Sequence, residues 1–277
     1  MSEGKTVVIT GASDGIGAAA ARTLHRDGHR VVAVGRSPEK TAAVAGELGV
    51  DSFVADFTRL DEVRKLADDL NAAYPRIDVL ANNAGGLFGE RAKTVDGFEK
   101  TFQVNYLAPF LLTQLLRDKL IASDAAVLQT ASISARLAAK LELDDLNHDR
   151  DFAPVRVYNF TKLEIVLFTK ELHRRYHAQG LSAAAFDPGG VATNFATGST
   201  SRPMRMLYTT PALRALLPGP DKGARTLRWL IQGKPGVDWE SGGLYVRRKP
   251  GRTNRQIEDA DLARALWDRT EELLERA

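Results

Sequence analysis

Tyr158 and Lys162 stand four residues apart in the stretch Tyr158-Asn159-Phe160-Thr161-Lys162. On a helix that spacing puts both side chains on one face. A free phenol ionises near pH ~10, too high for easy proton exchange at neutral pH. A neighbouring ammonium favours the phenolate and draws that value down. General acid–base catalysis works best when the pKa approaches the working pH. Such a pair is equipped to exchange a proton with a carbonyl or alcohol oxygen. A solvated helix face gives the same spacing with no chemistry.

A second group lies near the start of the chain. Gly11, Gly15 and Gly17 fall in TGASDGIG, between the apolar run KTVVI and the alanine-rich AAAARTLHRDG. A strand that ends here and a helix that begins here would present free N–H groups and a positive dipole end to a phosphate. Glycine permits the close backbone approach that this needs. A strand–turn–helix without a ligand is the alternative. A nucleotide-hydrolysing phosphate loop would continue with Gly-Lys-Ser/Thr, whereas this one continues with alanine, so phosphoryl transfer is not expected. Serine-nucleophile hydrolysis is not expected either.

These residues need a frame. β-Branched runs alternate with helical patterns along the chain: strands at 6–10, 30–35, 51–56, 77–82 and 125–132, and a sixth in LSAAAFDPGG. Helices are expected between them, including Pro38–Leu48, a long one through FEKTFQVNYLAPFLLTQLL and another from Pro154 to Ala178. In the long helix, Phe98, Phe102, Leu111 and Leu115 are the expected core contacts. Continuously apolar strands joined by helices predict an α/β fold, with a doubly wound parallel sheet of about seven strands and helices on both faces. One domain over residues 1–277 is expected, with two long connections at 133–153 and 194–220. Loops of that length inside a compact domain are often lids.

Composition narrows the function. Of 277 residues, 44% are hydrophobic and none is cysteine, which excludes disulfides and thiolate metal sites. Net charge is +3 with the basic residues dispersed, so no nucleic-acid partner is expected. His148, His173 and His177 lack metal-ligand spacing with acids, and no metal is expected. No apolar run reaches the length of a membrane span, and the first strand starts by Val7. The expectation is a cytoplasmic protein without a membrane anchor.

Further motifs follow in order: Asn82-Asn83-Ala84-Gly85 after the fourth strand, Asn105 in VNYLAPF, Ser132 after the fifth strand, the Tyr158–Lys162 pair, and Pro188-Gly189-Gly190-Val191-Ala192-Thr193. In this order the set resembles the short-chain dehydrogenase/reductase family, from about residue 5 to 247. FLLTQLL, YNFTKLEIVLFTKELHRRY, SGGLYV and ARALWDRTEELL resemble its retinol-dehydrogenase-like branch. The resemblance implies a nicotinamide cofactor and a hydride transfer to or from a small carbonyl or alcohol substrate. It implies that Tyr158 moves the proton, Ser132 orients the oxygen, and Lys162 tunes Tyr158 and binds the cofactor ribose. Asn105 would interrupt its helix and hold a relay water. Ser134 is the competing serine. Gly11, Ser13, Asp14, Gly15, Ile16 and Gly17 would hold the pyrophosphate. Asp56 and Phe57 would lie at the adenine, and Asn82, Ala84 and Gly85 along the adenine-ribose side. Pro188, Gly189, Val191 and Thr193 would hold the nicotinamide end. A cap on the following helix is the other reading of Asp56.

Cofactor choice rests on the end of the second strand. Sites for NAD usually carry an acid there, whereas this chain has Gly35-Arg36-Ser37. An arginine pairs well with a 2′-phosphate, which favours NADP(H) over NAD(H). Asp14 would either repel that phosphate or orient Arg36. The 194–220 loop offers Phe195, Met204, Met206, Leu207 and Tyr208 to an apolar substrate, and Arg202, Arg205 and Arg214 to a carboxylate or to water. The resemblance leaves a homodimer, a homotetramer or a monomer open. A regulator that senses NADP(H) without turnover is the rival reading, although such proteins usually lose the tyrosine or the lysine.

Overall fold

In the computed structural model, residues 4–150, 152–191, 210, 217–252 and 254–277 are described. The first half repeats strand and helix: β1 (Thr6–Thr10), α1 (Gly15–Arg26), β2 (Arg30–Gly35), α2 (Pro38–Leu48), β3 (Asp51–Val54), α3 (Leu60–Ala73) and β4 (Val79–Asn82). Next come α4 (Lys100–Phe102), a π-helical turn (Gln103–Leu107), α5 (Ala108–Leu115), α6 (Arg117–Ala122) and β5 (Ala126–Thr130). Beyond these lie α7 (Pro154–Tyr176), β6 (Ser182–Asp187), α8 (Pro220–Gln232), β7 (Gly243–Val246), β8 (Lys249–Pro250) and α9 (Ala260–Glu275).

The sheet order is β3-β2-β1-β4-β5-β6-β7-β8. All neighbours pair in parallel except β7 and β8. Eight strands replace the expected seven, because a two-residue strand folds back on β7. The chain winds outward from β1 to β3, then crosses to β4 and winds the other way. β1 therefore has β2 on one side and β4 on the other. Open α/β sheets bind ligands at this switch point, outside the carboxyl ends of the strands.

Alternation along the strands supplies two cores. Val8, Val32, Leu80 and Val127 pack with residues of α3, α5, α7 and α9, including Leu66, Phe110, Leu163 and Trp267. Val7, Ile9, Val31, Val79 and Leu128 pack on the other face with Ala20 and Leu24 of α1 and Leu227 and Leu230 of α8. Val7, Val8 and Ile9 have no exposure at all, as a central strand covered on both faces requires.

The long helix predicted through FEKTFQVNYLAPFLLTQLL is interrupted. A π-turn takes in one extra residue and so rotates the helix face that follows it. Phe98 and Phe102 are buried as expected, and Leu111 remains so. Leu115 is 38% exposed, while Phe110, Leu112 and Leu116 are fully buried. Leu115 is the last residue of α5, four residues past the buried Leu111, and turns partly to solvent. Within residues 133–150, short 3-10 turns and Arg150, whose guanidinium pairs with Glu142, Asp144 and Asp145, hold the connection together.

Candidate active site

The glycine loop joins β1 to the N-terminus of α1. Asp14 is the cap: its Oδ1 accepts from the Gly15 N–H at 2.7 Å. Gly11 has φ +67°, and a Cβ there would stand 2.9 Å from Ala84 Cα. A Cβ on Gly17 would collide with the Gly11 carbonyl. The loop is thus pressed onto the exit of β4, with the first amides of α1 opening beyond the strand ends. Gly11-Ala12-Ser13-Asp14-Gly15 also satisfies the G-x-S-x-G spacing of a serine-nucleophile elbow. Ser13 instead lies against β2, where a Cβ on Gly35 would come 2.9 Å from its Oγ. Among the described residues no histidine bonds to it.

Asn83 connects three strand ends. Its N–H donates to Thr10 Oγ1 at 3.0 Å and its Nδ2 to the Thr10 carbonyl at 2.9 Å. Thr130 Oγ1 donates to Asn83 Oδ1 at 3.4 Å, and the Ala84 N–H donates to Thr10 Oγ1 at 3.0 Å. Asn82, expected on the ribose side, turns its buried side chain the other way and donates from Nδ2 to Thr113 Oγ1 at 3.0 Å. Alternation along β4 puts adjacent asparagines on opposite faces.

At the end of β2, Arg36 is exposed and Ser37 caps α2, its Oγ accepting from the Lys40 N–H at 3.4 Å. Lys40 Nζ lies 3.7 Å from Asp14 Oδ2. The Asp14 carboxylate is therefore occupied by its cap and by Lys40, a cation the motif reading did not single out. Asp56 closes its own turn: Oδ1 accepts from the Thr58 N–H at 3.0 Å, ahead of the helix rather than as the cap of α3. Phe57 beside it is buried.

The groups expected to react lie beyond the ends of β4, β5 and β6. Lys162 is 4% exposed and its Nζ donates to the Thr130 carbonyl at 2.7 Å. The same Nζ lies 5.5 Å from the centre of the half-buried Tyr158 ring. Burial draws the Lys162 ammonium down to about 7, a drop partly opposed by the carboxylate of Asp187. Asn105 sits in the π-turn, almost wholly buried. Its Oδ1 accepts from the Gly86 N–H at 2.8 Å, and its Nδ2 donates to the Gly86 carbonyl at 2.9 Å and to Thr161 Oγ1 at 3.3 Å. A Cβ on Gly85 would come 2.9 Å from Asn105 Oδ1 and 3.8 Å from Lys162 Nζ, so both side chains converge on that glycine. Ser132 leaves β5 half-exposed, its Oγ accepting from the Ser134 N–H at 3.1 Å. Ser134 Oγ is buried without a partner among the described residues, which leaves Ser132 as the reachable serine.

Asp187 was missed as a site residue. It ends β6, is 7% exposed, and its Oδ1 accepts from the Ile133 N–H at 3.3 Å. It lies between the serine-bearing turn and Lys162. The signal was an acid directly before Pro188-Gly189, in a strand otherwise apolar or small.

A family model, short chain dehydrogenase, matches residues 5–203. The chain belongs to the short-chain dehydrogenases. A Streptomyces sp. (strain C5) protein named "Putative daunorubicin C-13 ketoreductase DnrU" is 39% identical over 272 residues, covering 96% of this chain and 91% of that one. Human retinol dehydrogenase 13 is 34% identical over 274 residues, covering 95% and 82%. A crystal structure of a Mycobacterium paratuberculosis protein superposes with TM-score 0.78 at 32% identity, covering 98% and 93%. Within this family the chain falls in the retinol-dehydrogenase-like branch.

This short-chain dehydrogenase carries Gly189 at φ +77° and buries Val191 against Gly223 of α8. Thr193 lies outside the described residues, as do Phe195, Arg202, Met204, Arg205, Met206, Leu207, Tyr208 and Arg214. No described helix is long and apolar enough to cross a membrane.

Proposed function

We propose that the chain is an NADP(H)-dependent reductase or dehydrogenase of an apolar small molecule, with Tyr158 as the proton-transferring group. The observation that carries this reading is the buried Lys162 ammonium 5.5 Å from the Tyr158 ring centre. A cation at that range favours the phenolate and brings the phenol toward neutral working pH.

The residues fit a dinucleotide. Gly11 and Gly17 let the loop close tightly on itself and on Ala84, at a helix N-terminus suited to a pyrophosphate. When bound, the nicotinamide supplies or accepts the hydride. Lys162 and the Gly189–Val191 segment would hold its ribose and amide, and Arg36, with Lys40 behind it, would meet a 2′-phosphate. Tyr158 Oη gives its proton to the substrate oxygen in reduction and takes it back in oxidation. Ser132 Oγ donates to that oxygen and stabilises its growing negative charge. Asn105 anchors Gly86 and Thr161 and so holds the floor beneath Lys162. Ketone reduction in the Streptomyces relative's name and retinol in the human relative's both point to an apolar carbonyl or alcohol substrate.

Absorbance of NADPH against a panel of aldehydes and ketones tests the proposal. Tyr158→Phe is expected to lower turnover at least about hundredfold, within the usual range for losing a general acid. Its NADPH affinity should stay within about twofold. Retained turnover would remove Tyr158 from the mechanism.

A further inference from the structure

On the same helix that touches the cofactor loop, but at its other end, lies a cavity of about 480 Å³. Arg225, Arg228, Trp229, Gln232 and Asp238 line it, together with Arg248 from the β7–β8 hairpin. The start of α8 faces the proposed cofactor site, since a Cβ on Gly223 would meet Val191 and Ile16. Its end lies at the opposite, amino-terminal ends of the strands, where Lys5, just before β1, donates from Nζ to the Gly233 carbonyl at 3.4 Å. The cavity belongs to that far half.

Three features set these arginines apart. First, Arg225, Arg228 and Gln232 recur at helical spacing on one face of α8, and none of the three cavity arginines pairs with a carboxylate among the described residues. Elsewhere Arg22, Arg150 and Arg175 all do. Second, Arg228 Nε is buried without a partner among the described residues, although its Nη1 donates to Thr23 Oγ1 at 3.4 Å. A buried donor left unmade is costly, and a ligand acceptor would relieve it. Third, Val246 pairs with Lys249, so Arg247 and Arg248 alone form the hairpin turn, with φ +52° and +66°. Turns of this type favour Asn-Gly, because other residues resist positive φ. Here arginine holds the strained position and brings Arg248 to the cavity. Strain kept at one place is a pointer to function.

We infer that this cavity binds a phosphate-bearing small molecule, separately from the nicotinamide cofactor. Three guanidinium groups face one carboxylate, that of Asp238, which already accepts from the Lys234 N–H at 2.7 Å. The planar, forked guanidinium matches phosphate oxygens pairwise. The volume is that of a small-molecule site, and the Trp229 indole offers a ring to a nucleotide base.

The probe is inorganic pyrophosphate, titrated at constant ionic strength into full-length protein saturated with its nicotinamide cofactor. Calorimetry reads the binding, and the Trp229 indole N–H resonance, assigned with Trp229→Phe, reports its place. Saturable binding with one site per chain is expected, weakened about tenfold or more by Arg228→Gln and by Arg248→Asn. Asparagine accepts the left-handed backbone, so Arg248→Asn keeps the hairpin and carries the test if Arg228→Gln unfolds. Arg264→Gln, an exposed control on α9, should bind as the parent does. Adenosine diphosphate in a parallel titration separates the sources: tighter binding assigns a nucleotide, equal binding a free phosphate. No saturable response in the cofactor-saturated protein, a response that sodium chloride reproduces, or one that survives Arg248→Asn overturns the site.

Discussion

The Lys162 ammonium donates to the Thr130 carbonyl across 2.7 Å, tying the middle of α7 to the end of β5. That bond fixes the cation beneath Tyr158 at the cost of burying it. Lys162 therefore titrates near 7 in the fold, against 10.5 when free. Below about pH 7 both folded and unfolded chains hold the proton, and the burial penalty is fully present. Between about 7 and 10.5 only the unfolded chain holds it, so stability rises with pH there. Lys162→Met should raise the melting temperature most below pH 7, by the equivalent of a few kcal/mol at roughly 1.4 kcal/mol per unit. The gain should shrink toward pH 10.5 while turnover is lost. Calorimetric melts across pH check this, and a gain independent of pH would sink it.

Asp187 opposes that loss of charge. Asp187→Asn keeps an oxygen to accept the Ile133 N–H but removes the negative charge. The Lys162 titration should move below about 7, as read from the lysine Cε resonance. Activity should fall off at correspondingly lower pH, with the melting temperature little changed. An unmoved titration would make Asp187 a purely structural residue.

Arg36 is exposed at the end of β2, and Asp14 is already occupied by its cap and Lys40. Arg36→Leu should weaken NADPH binding about tenfold, as expected for one charge-assisted phosphate contact. NADH binding should change by less than about twofold. Fluorescence titration with both cofactors gives the comparison, and equal losses would contradict a 2′-phosphate role.

Glu164, two residues beyond Lys162 in α7, is fully buried, and both its carboxyl oxygens lack partners among the described residues. Burial, with Glu99 nearby, raises its pKa well above the usual carboxyl value of 4.5. Below pH 4.5 the folded and unfolded chains both hold the proton. Above it the unfolded chain releases the proton first, so stability declines as pH rises toward the folded value. Glu164→Gln removes that dependence. Its melting temperature should match the parent near pH 4 and exceed it increasingly toward pH 8.

The order of strands and helices, the helix from Pro38 to Leu48 and the pairing of Tyr158 with Lys162 were legible because they rest on local rules. Strand alternation, proline at a helix start and the four-residue helix spacing act within one element. The break in the helix running from Phe102 to Leu115 and the turn of the Asn82 side chain toward Thr113 depend on a shift or a facing that the linear pattern does not display. The π-turn changes the phase of a helix, and a strand's two faces become distinct only when both are covered. Asp187 needed the fold for a different reason: it acts on Lys162 from another element, 25 positions away in the chain. The sequence by itself determined the elements and the chemical kinds of group at their ends. Tertiary structure decided which of those groups share a buried, low-dielectric space. Charges act strongly on one another only there, because water no longer screens them.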